Sequence, residues 1–144
     1  MADQSLRLRP RQRTALVVED SLIQALALKQ LLESRGMSVL RAADGRVGLA
    51  MAQQHLPDVI ILDIQMPEMD GLEACRHLRQ NPQTSHIPIV MLTAHAEPEV
   101  LAQGLELGAV DFIPKDAFSD KVLLETLRQL HILQDGAGMG DAQR

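Results

Sequence analysis

Between residues 14 and 133 the chain alternates short apolar runs with helical apolar stripes. The first run, Thr14-Ala-Leu-Val-Val18, lacks polar alternation, which predicts a strand buried on both faces. Residues 21–35 then carry Ala25, Leu28, Leu31 and Leu32 on one helical face, with Asp20 able to cap the start and Gly36 as the stop. A short strand is expected over 38–41. Asp44 can cap a second helix whose apolar face is Val47, Ala50 and Met51, and Pro57 bars its continuation. The run Val59-Ile-Ile-Leu62 is again a buried type of strand. Asp70 stands three residues before Glu73, the spacing of a capping box, and heads a third helix. A loop over 81–85, a strand over 89–92, and a helix opened by Pro98 and closed by Gly108 follow. The last elements are a strand over 110–113 and a helix that Ser119 can cap, with Leu123, Leu127 and Leu130 along one face.

This rhythm predicts βαβ units: an α/β fold with a parallel sheet covered by helices on both faces and right-handed crossovers. In such sheets ligands sit beyond the carboxyl ends of the strands, near the point where the strand order reverses. The strand ends are therefore where chemistry is expected.

Composition narrows the function classes. With 144 residues the chain is close to one domain, and with 1% aromatics its core must be aliphatic. A net charge of −5 and the lack of aromatic stacking platforms argue against direct nucleic-acid binding. Arg7, Arg9, Arg11 and Arg13 against Asp3 give residues 1–13 a charge of +3, leaving −8 for the remainder. Such a basic arm reads as a solvated tail, although it could touch phosphates. Residues 134–144, rich in glycine, read as a flexible tail or linker stub, which leaves 14–133 as the folded domain. Cys75 is the lone cysteine, so no intrachain disulfide can form, and its place in a helix suggests packing. No apolar run reaches membrane-spanning length and no secretory signal precedes the domain, so a cytoplasmic protein is expected.

Four of the expected strands run into polar groups: Glu19-Asp20, Asp63, Thr93 and Lys115. One such residue could simply cap the next helix. Three carboxylates from neighbouring strands are different, because each like-charge pair near 4 Å costs roughly 4 kcal/mol at an effective dielectric of 20. The cluster needs a cation, a proton or a lysine. Oxygen-only ligands favour Mg²⁺ over Ca²⁺, and the scattered histidines 55, 77, 86, 95 and 131 offer no zinc site. A metal, a hydroxyl and an ammonium around one carboxylate suit a phosphoryl group, with Asp63 as nucleophile.

The set Glu19-Asp20, Asp-Ile-Gln-Met-Pro-Glu-Met-Asp-Gly (63–71), Thr93-Ala94 and Lys115 resembles response regulator receiver domains of two-component systems, over residues 13 to 133. The resemblance implies a flavodoxin-like (βα)5 doubly wound sheet of order 2-1-3-4-5. It implies that Asp63 takes a phosphoryl group from a histidine kinase or histidine phosphotransfer protein, without other enzymatic activity than this self-catalysed transfer and autodephosphorylation. It implies Mg²⁺ on Asp20, Asp63 and the backbone carbonyl of Gln65, with Glu19 bound through water. Lys115 and Thr93 would meet the phosphoryl group, and Phe112 stands at the place of a rotating switch aromatic, or is a core residue. Gln65 and His95 occupy places that tune the lifetime of the phosphorylated form. Output would pass to a downstream protein through the fourth helix, fifth strand and fifth helix, and homodimerisation on phosphorylation is compatible with this. Leu22 and Leu26, outside the core stripe of the first helix, could dock the phosphodonor.

The sequence departs from the family pattern after Lys115, where Asp116 replaces the usual proline. A cis bond there would cost about 2.5–4 kcal/mol, so a trans bond is expected. This departure keeps open a degenerate receiver that binds partners without phosphorylation. A phosphatase of the haloacid dehalogenase type would also use an Asp nucleophile, but would place a second Asp where Gln65 stands.

Overall fold

A computed structural model describes residues 12–66, 69–94 and 97–133. The expected basic arm up to residue 11, His95 and the tail from residue 134 lie outside the described residues. Five strands, β1 (Thr14–Val18), β2 (Ser38–Ala42), β3 (Val59–Leu62), β4 (Ile89–Thr93) and β5 (Asp111–Pro114), alternate with five helices. These are α1 (Leu22–Glu33), α2 (Gly45–His55), α3 (Gly71–Gln80), α4 (Pro98–Glu106) and α5 (Ser119–Gln129). All strand pairs are parallel and the order is β2-β1-β3-β4-β5, as the resemblance implied.

The unbroken apolar runs become a sheet buried on both faces, and their alternate residues feed two cores. Ala15, Val17, Val59, Ile61, Val90, Leu92 and Ile113 face Ala25, Leu28 and Leu32 of α1 and Leu123 and Leu127 of α5. Leu16, Val18, Ile60, Leu62, Ile89 and Met91 face Ala52 of α2 and Ala74, Cys75 and Leu78 of α3. Because β1 lies between β2 and β3, the order reverses there, and a crevice opens at the carboxyl ends of β1 and β3.

The caps expected at Asp44 and Asp70 hold, and those expected at Asp20 and Ser119 shift by one residue. Asp44 and Asp70 cap α2 and α3, accepting from Val47 N at 2.8 Å and Glu73 N at 2.9 Å. At α1 the cap is Ser21, not Asp20: its hydroxyl accepts from Gln24 N at 3.3 Å, which leaves the Asp20 carboxylate to the strand end. Ser119 does not cap α5 but opens it, donating its hydroxyl to Asp116 O at 3.1 Å, while Asp116 Oδ1 accepts from Phe118 N. The apolar face expected of α2 is also corrected. Val47 is 44% exposed and Ala50 is exposed, whereas Gly45, Gly48 and Ala52 are buried. A Cβ on Gly48 would lie 2.9 Å from Val18 of β1 and one on Gly45 would lie 2.6 Å from Met69 O, so lack of bulk seats this helix, while Met51 packs partly buried against the core as expected. Val110 falls outside β5, which runs from Asp111 to Pro114 at the sheet edge, where a proline costs no ladder hydrogen bond.

Candidate functional site

Register builds the site. Val18 pairs with Leu62, so the next residues, Glu19 and Asp63, leave the sheet side by side, and Asp63 N donates to Val18 O at 3.1 Å. Thr93 pairs with Pro114, and Lys115 N donates to Thr93 O at 2.9 Å, which brings the lysine in from the edge strand. Glu19, Asp20, Asp63, Gln65 and Lys115 then line one cleft of 510 Å³, together with Ser21, Gln24, Met66 and Ala94.

The loop after Asp63 is shaped by Gly71 at the start of α3. A Cβ there would lie 2.3 Å from Asp63 O and 2.7 Å from Ile64 Cα, so only glycine lets the helix approach this backbone. Gly71 N donates to Ile64 O at 2.8 Å, closing the loop.

Glu19 and Asp63 are buried and Asp20 is exposed, and one oxygen of each lies within 4.8 Å of the others. Lys115 Nζ answers this charge, donating to Glu19 Oε1 at 2.8 Å, to Asp63 Oδ2 at 3.0 Å and to Gln24 Oε1. Burial pushes the Glu19 carboxyl above its usual range, opposed by the bonds from Lys115 and Ser21 N and reinforced by the Asp63 charge. Burial alone would lower the Lys115 ammonium, but its bonds to Glu19 and Asp63 outweigh this and raise it. The ammonium therefore stays charged and is shared by the Glu19 and Asp63 carboxylates. Oxygen donors so arranged fit a hard divalent ion.

Not every expected residue joins the cleft. Thr93 is wholly buried at the end of β4, and Ala94 after it lines the wall. Phe112 packs with its ring against Gly104 of α4, in the core on the α2–α4 side of the sheet, and does not line the cleft. Leu22 and Leu26 are 56% and 49% exposed beside the cleft residues Ser21 and Gln24. Among the described residues no peptide bond is cis, so Lys115–Asp116 is trans, as expected from its cost.

Two residues that pattern reading passed over complete the site. Arg41 of β2 donates two hydrogen bonds to Glu19 O, at 3.2 and 3.0 Å, and one to Asp20 O at 3.1 Å, fixing the backbone of both acids. Gln24 contributes the third acceptor of Lys115. Arg41 bonds to backbone carbonyls and Gln24 sits on the exposed side of α1, so neither leaves a motif in the sequence.

The chain matches the family described as response regulator receiver domain over residues 15–128. The response regulator PleD of Caulobacter vibrioides is 43% identical over 115 residues, covering 80% of this chain and 25% of PleD; the chain thus spans a quarter of that relative. Protein PilH of Pseudomonas aeruginosa is 36% identical over 112 residues, covering 78% of this chain and 92% of PilH. The structure of the chemotaxis protein CheY4 of Vibrio cholerae superposes with a TM-score of 0.77 at 37% identity, covering 83% of this chain and 98% of that one. Neither these matches nor the sheet order favours a phosphatase of the dehalogenase type. From the acid cluster at the switch point, the 2-1-3-4-5 sheet and these matches together, it follows that the chain belongs to the response regulator receiver domain family of two-component signalling.

Proposed function

We propose that Asp63 is the phosphoacceptor of this receiver and that its donor is a phosphohistidine on a sensor kinase or phosphotransfer protein. The supporting observation is the Lys115 bridge from β5 to Glu19 and Asp63, since it sets an ammonium and a second acid against the one carboxylate that would take the phosphoryl group. Asp63 attacks phosphorus, the bond to the imidazole nitrogen breaks, and an acyl phosphate forms on the carboxylate. Glu19, Asp20, Asp63 and the carbonyl of Gln65 would hold Mg²⁺, which when bound neutralises charge on the phosphoryl oxygens. Lys115 transfers its Asp63 bond to a phosphoryl oxygen, and Thr93 offers its hydroxyl from the end of β4. Gln65 and His95, two residues after Asp63 and Thr93 in the sequence, would govern the access of hydrolytic water.

The intact acid set and the seated lysine speak against a degenerate receiver. Intact-mass spectrometry after incubation with acetyl phosphate and Mg²⁺ tests the reading: wild type gains one phosphoryl group, and Asp63→Asn or omission of Mg²⁺ abolishes it. An adduct that persists in Asp63→Asn would refute the assignment.

The finer partner assignments follow from exposed apolar side chains. Leu22, Ile23 and Leu26 of α1 are exposed next in sequence to the cleft residues Ser21 and Gln24 and would seat the donor helix. Leu22→Glu should slow transfer from a phosphohistidine donor while leaving acetyl phosphate labelling unchanged. Leu105, Val110 and Val122, with Phe118, are exposed around α4, β5 and α5 and would form the output face, for a downstream protein or a second receiver. No helix among the described residues is long and apolar enough to cross a membrane, which is compatible with a cytoplasmic setting. Residues 14–133 constitute the receiver unit in this reading, with 1–13 and 134–144 flanking it.

A further inference from the structure

Lys115 Nζ carries three protons and has an acceptor for each: Glu19 Oε1, Asp63 Oδ2 and Gln24 Oε1. The first two are carboxylates of the acid cluster, and a divalent ion and a phosphoryl group compete with the ammonium for those same oxygens. The Gln24 carbonyl is a neutral amide outside the cluster, so of the three protein acceptors it is the one left to the lysine, beside a phosphoryl oxygen, when the carboxylates are claimed.

Gln24 is also well anchored. It lies in the first turn of α1, and its backbone N–H is held by the Ser21 cap at 3.3 Å. Lys115, in contrast, follows the last residue of an edge strand, and its side chain is long and flexible. Gln24 and Lys115 line both the acid cleft and a second hollow of 290 Å³ under α1 and α5, lined also by Ala27, Leu28, Leu92, Ser119 and the acids Asp116 and Asp120. Without an acceptor at the rim the ammonium would swing toward the Asp116 and Asp120 side of that hollow.

We propose that Gln24 is a positioning residue for Lys115, whose side-chain carbonyl keeps the ammonium at the mouth of the cleft when metal and phosphoryl group occupy Glu19 and Asp63. This rests on the reading of Asp63 as phosphoacceptor.

Gln24→Met keeps the length and helix propensity of the side chain and removes the acceptor. The chain's lysines are Lys29, Lys115 and Lys121, so the ¹H–¹⁵N ammonium spectrum of the protein saturated with Mg²⁺, which claims the carboxylates, isolates Lys115 once Lys115→Ala identifies its signal. We expect that signal to broaden beyond detection in Gln24→Met at an unchanged melting temperature. The initial rate of acetyl phosphate labelling should fall about five- to tenfold, the scale of one hydrogen bond to a charged group discounted for exposure. In a Lys115→Ala background the same substitution should change the rate no further. A persistent Lys115 signal with an unaltered rate, or an equal loss of rate in both backgrounds, would overturn the proposal. If wild type takes up no phosphoryl group, the assignment of Asp63 fails while the ammonium spectrum still decides the Gln24–Lys115 contact.

Discussion

Glu19 is buried beside Asp63 and near the exposed Asp20, and the Lys115 ammonium pairs with Glu19 and Asp63. Like charges at this spacing oppose folding until a cation joins them. Mg²⁺ at ten times its dissociation constant should therefore stabilise wild type by about 1.4 kcal/mol, a few degrees in melting temperature, and Asp20→Asn should lose most of that gain in a thermal-shift titration. Arg41 belongs to the same scale. Arg41→Ala removes three bonds to the carbonyls of Glu19 and Asp20 and should weaken Mg²⁺ binding without deleting a ligand, readable by calorimetry. The acids were legible in the sequence because chemistry demands carboxylates at strand ends. Arg41 was not, because a carbonyl acceptor has no residue identity to recognise.

Among the elements, helix placement depends on small residues. Helical periodicity places Val47, Ala50 and Met51 of α2 on the core, yet of these only Met51 packs there, and the close approach to β1 is at Gly48, against Val18, because a helix set near a sheet selects for lack of bulk. Gly104 of α4 follows the same logic toward Phe112. A Cβ there would meet the ring at 2.1 and 2.7 Å, so the glycine is the slot in which the aromatic rests. Gly104→Ala should drive the ring out of the slot. Overpacking of about 1–3 kcal/mol then opposes a helix-propensity gain of up to about 1 kcal/mol, for a net loss in chemical denaturation. With fluorinated phenylalanine, the Phe112 resonance should move toward the solvent-exposed position of Phe118, which is 67% exposed. An unmoved resonance would show that the slot does not hold the ring.

Across the whole molecule, the sheet is sealed by two cores, and the α3–β4–β5 side is tied by Arg79. Its guanidinium donates to Gly108 O at 3.2 and 2.7 Å, to Ser85 O at 2.6 Å and to Ile87 O at 2.9 Å, binding the end of α3 to the turns before β4 and β5. Cys75, as expected of a packing residue, is wholly buried on α3, and burial pushes its thiol above the usual range. Its alkylation at pH 8 should therefore be slow, limited by opening of the fold, and should become fast in denaturant; rapid native labelling would contradict this burial. By itself the sequence determined the parallel α/β architecture, the caps at Asp44 and Asp70, and which acids, hydroxyl and lysine stand at the strand ends. These follow from local rules: period, capping geometry and the chemistry of side chains in chain order. Only the tertiary structure decided that Lys115 spans three acceptors, that Gln24 and Arg41 belong to the site, and that glycines at 71 and 104 admit backbone and ring. Those facts depend on distances between segments far apart in the chain, and no local pattern encodes a distance across the fold.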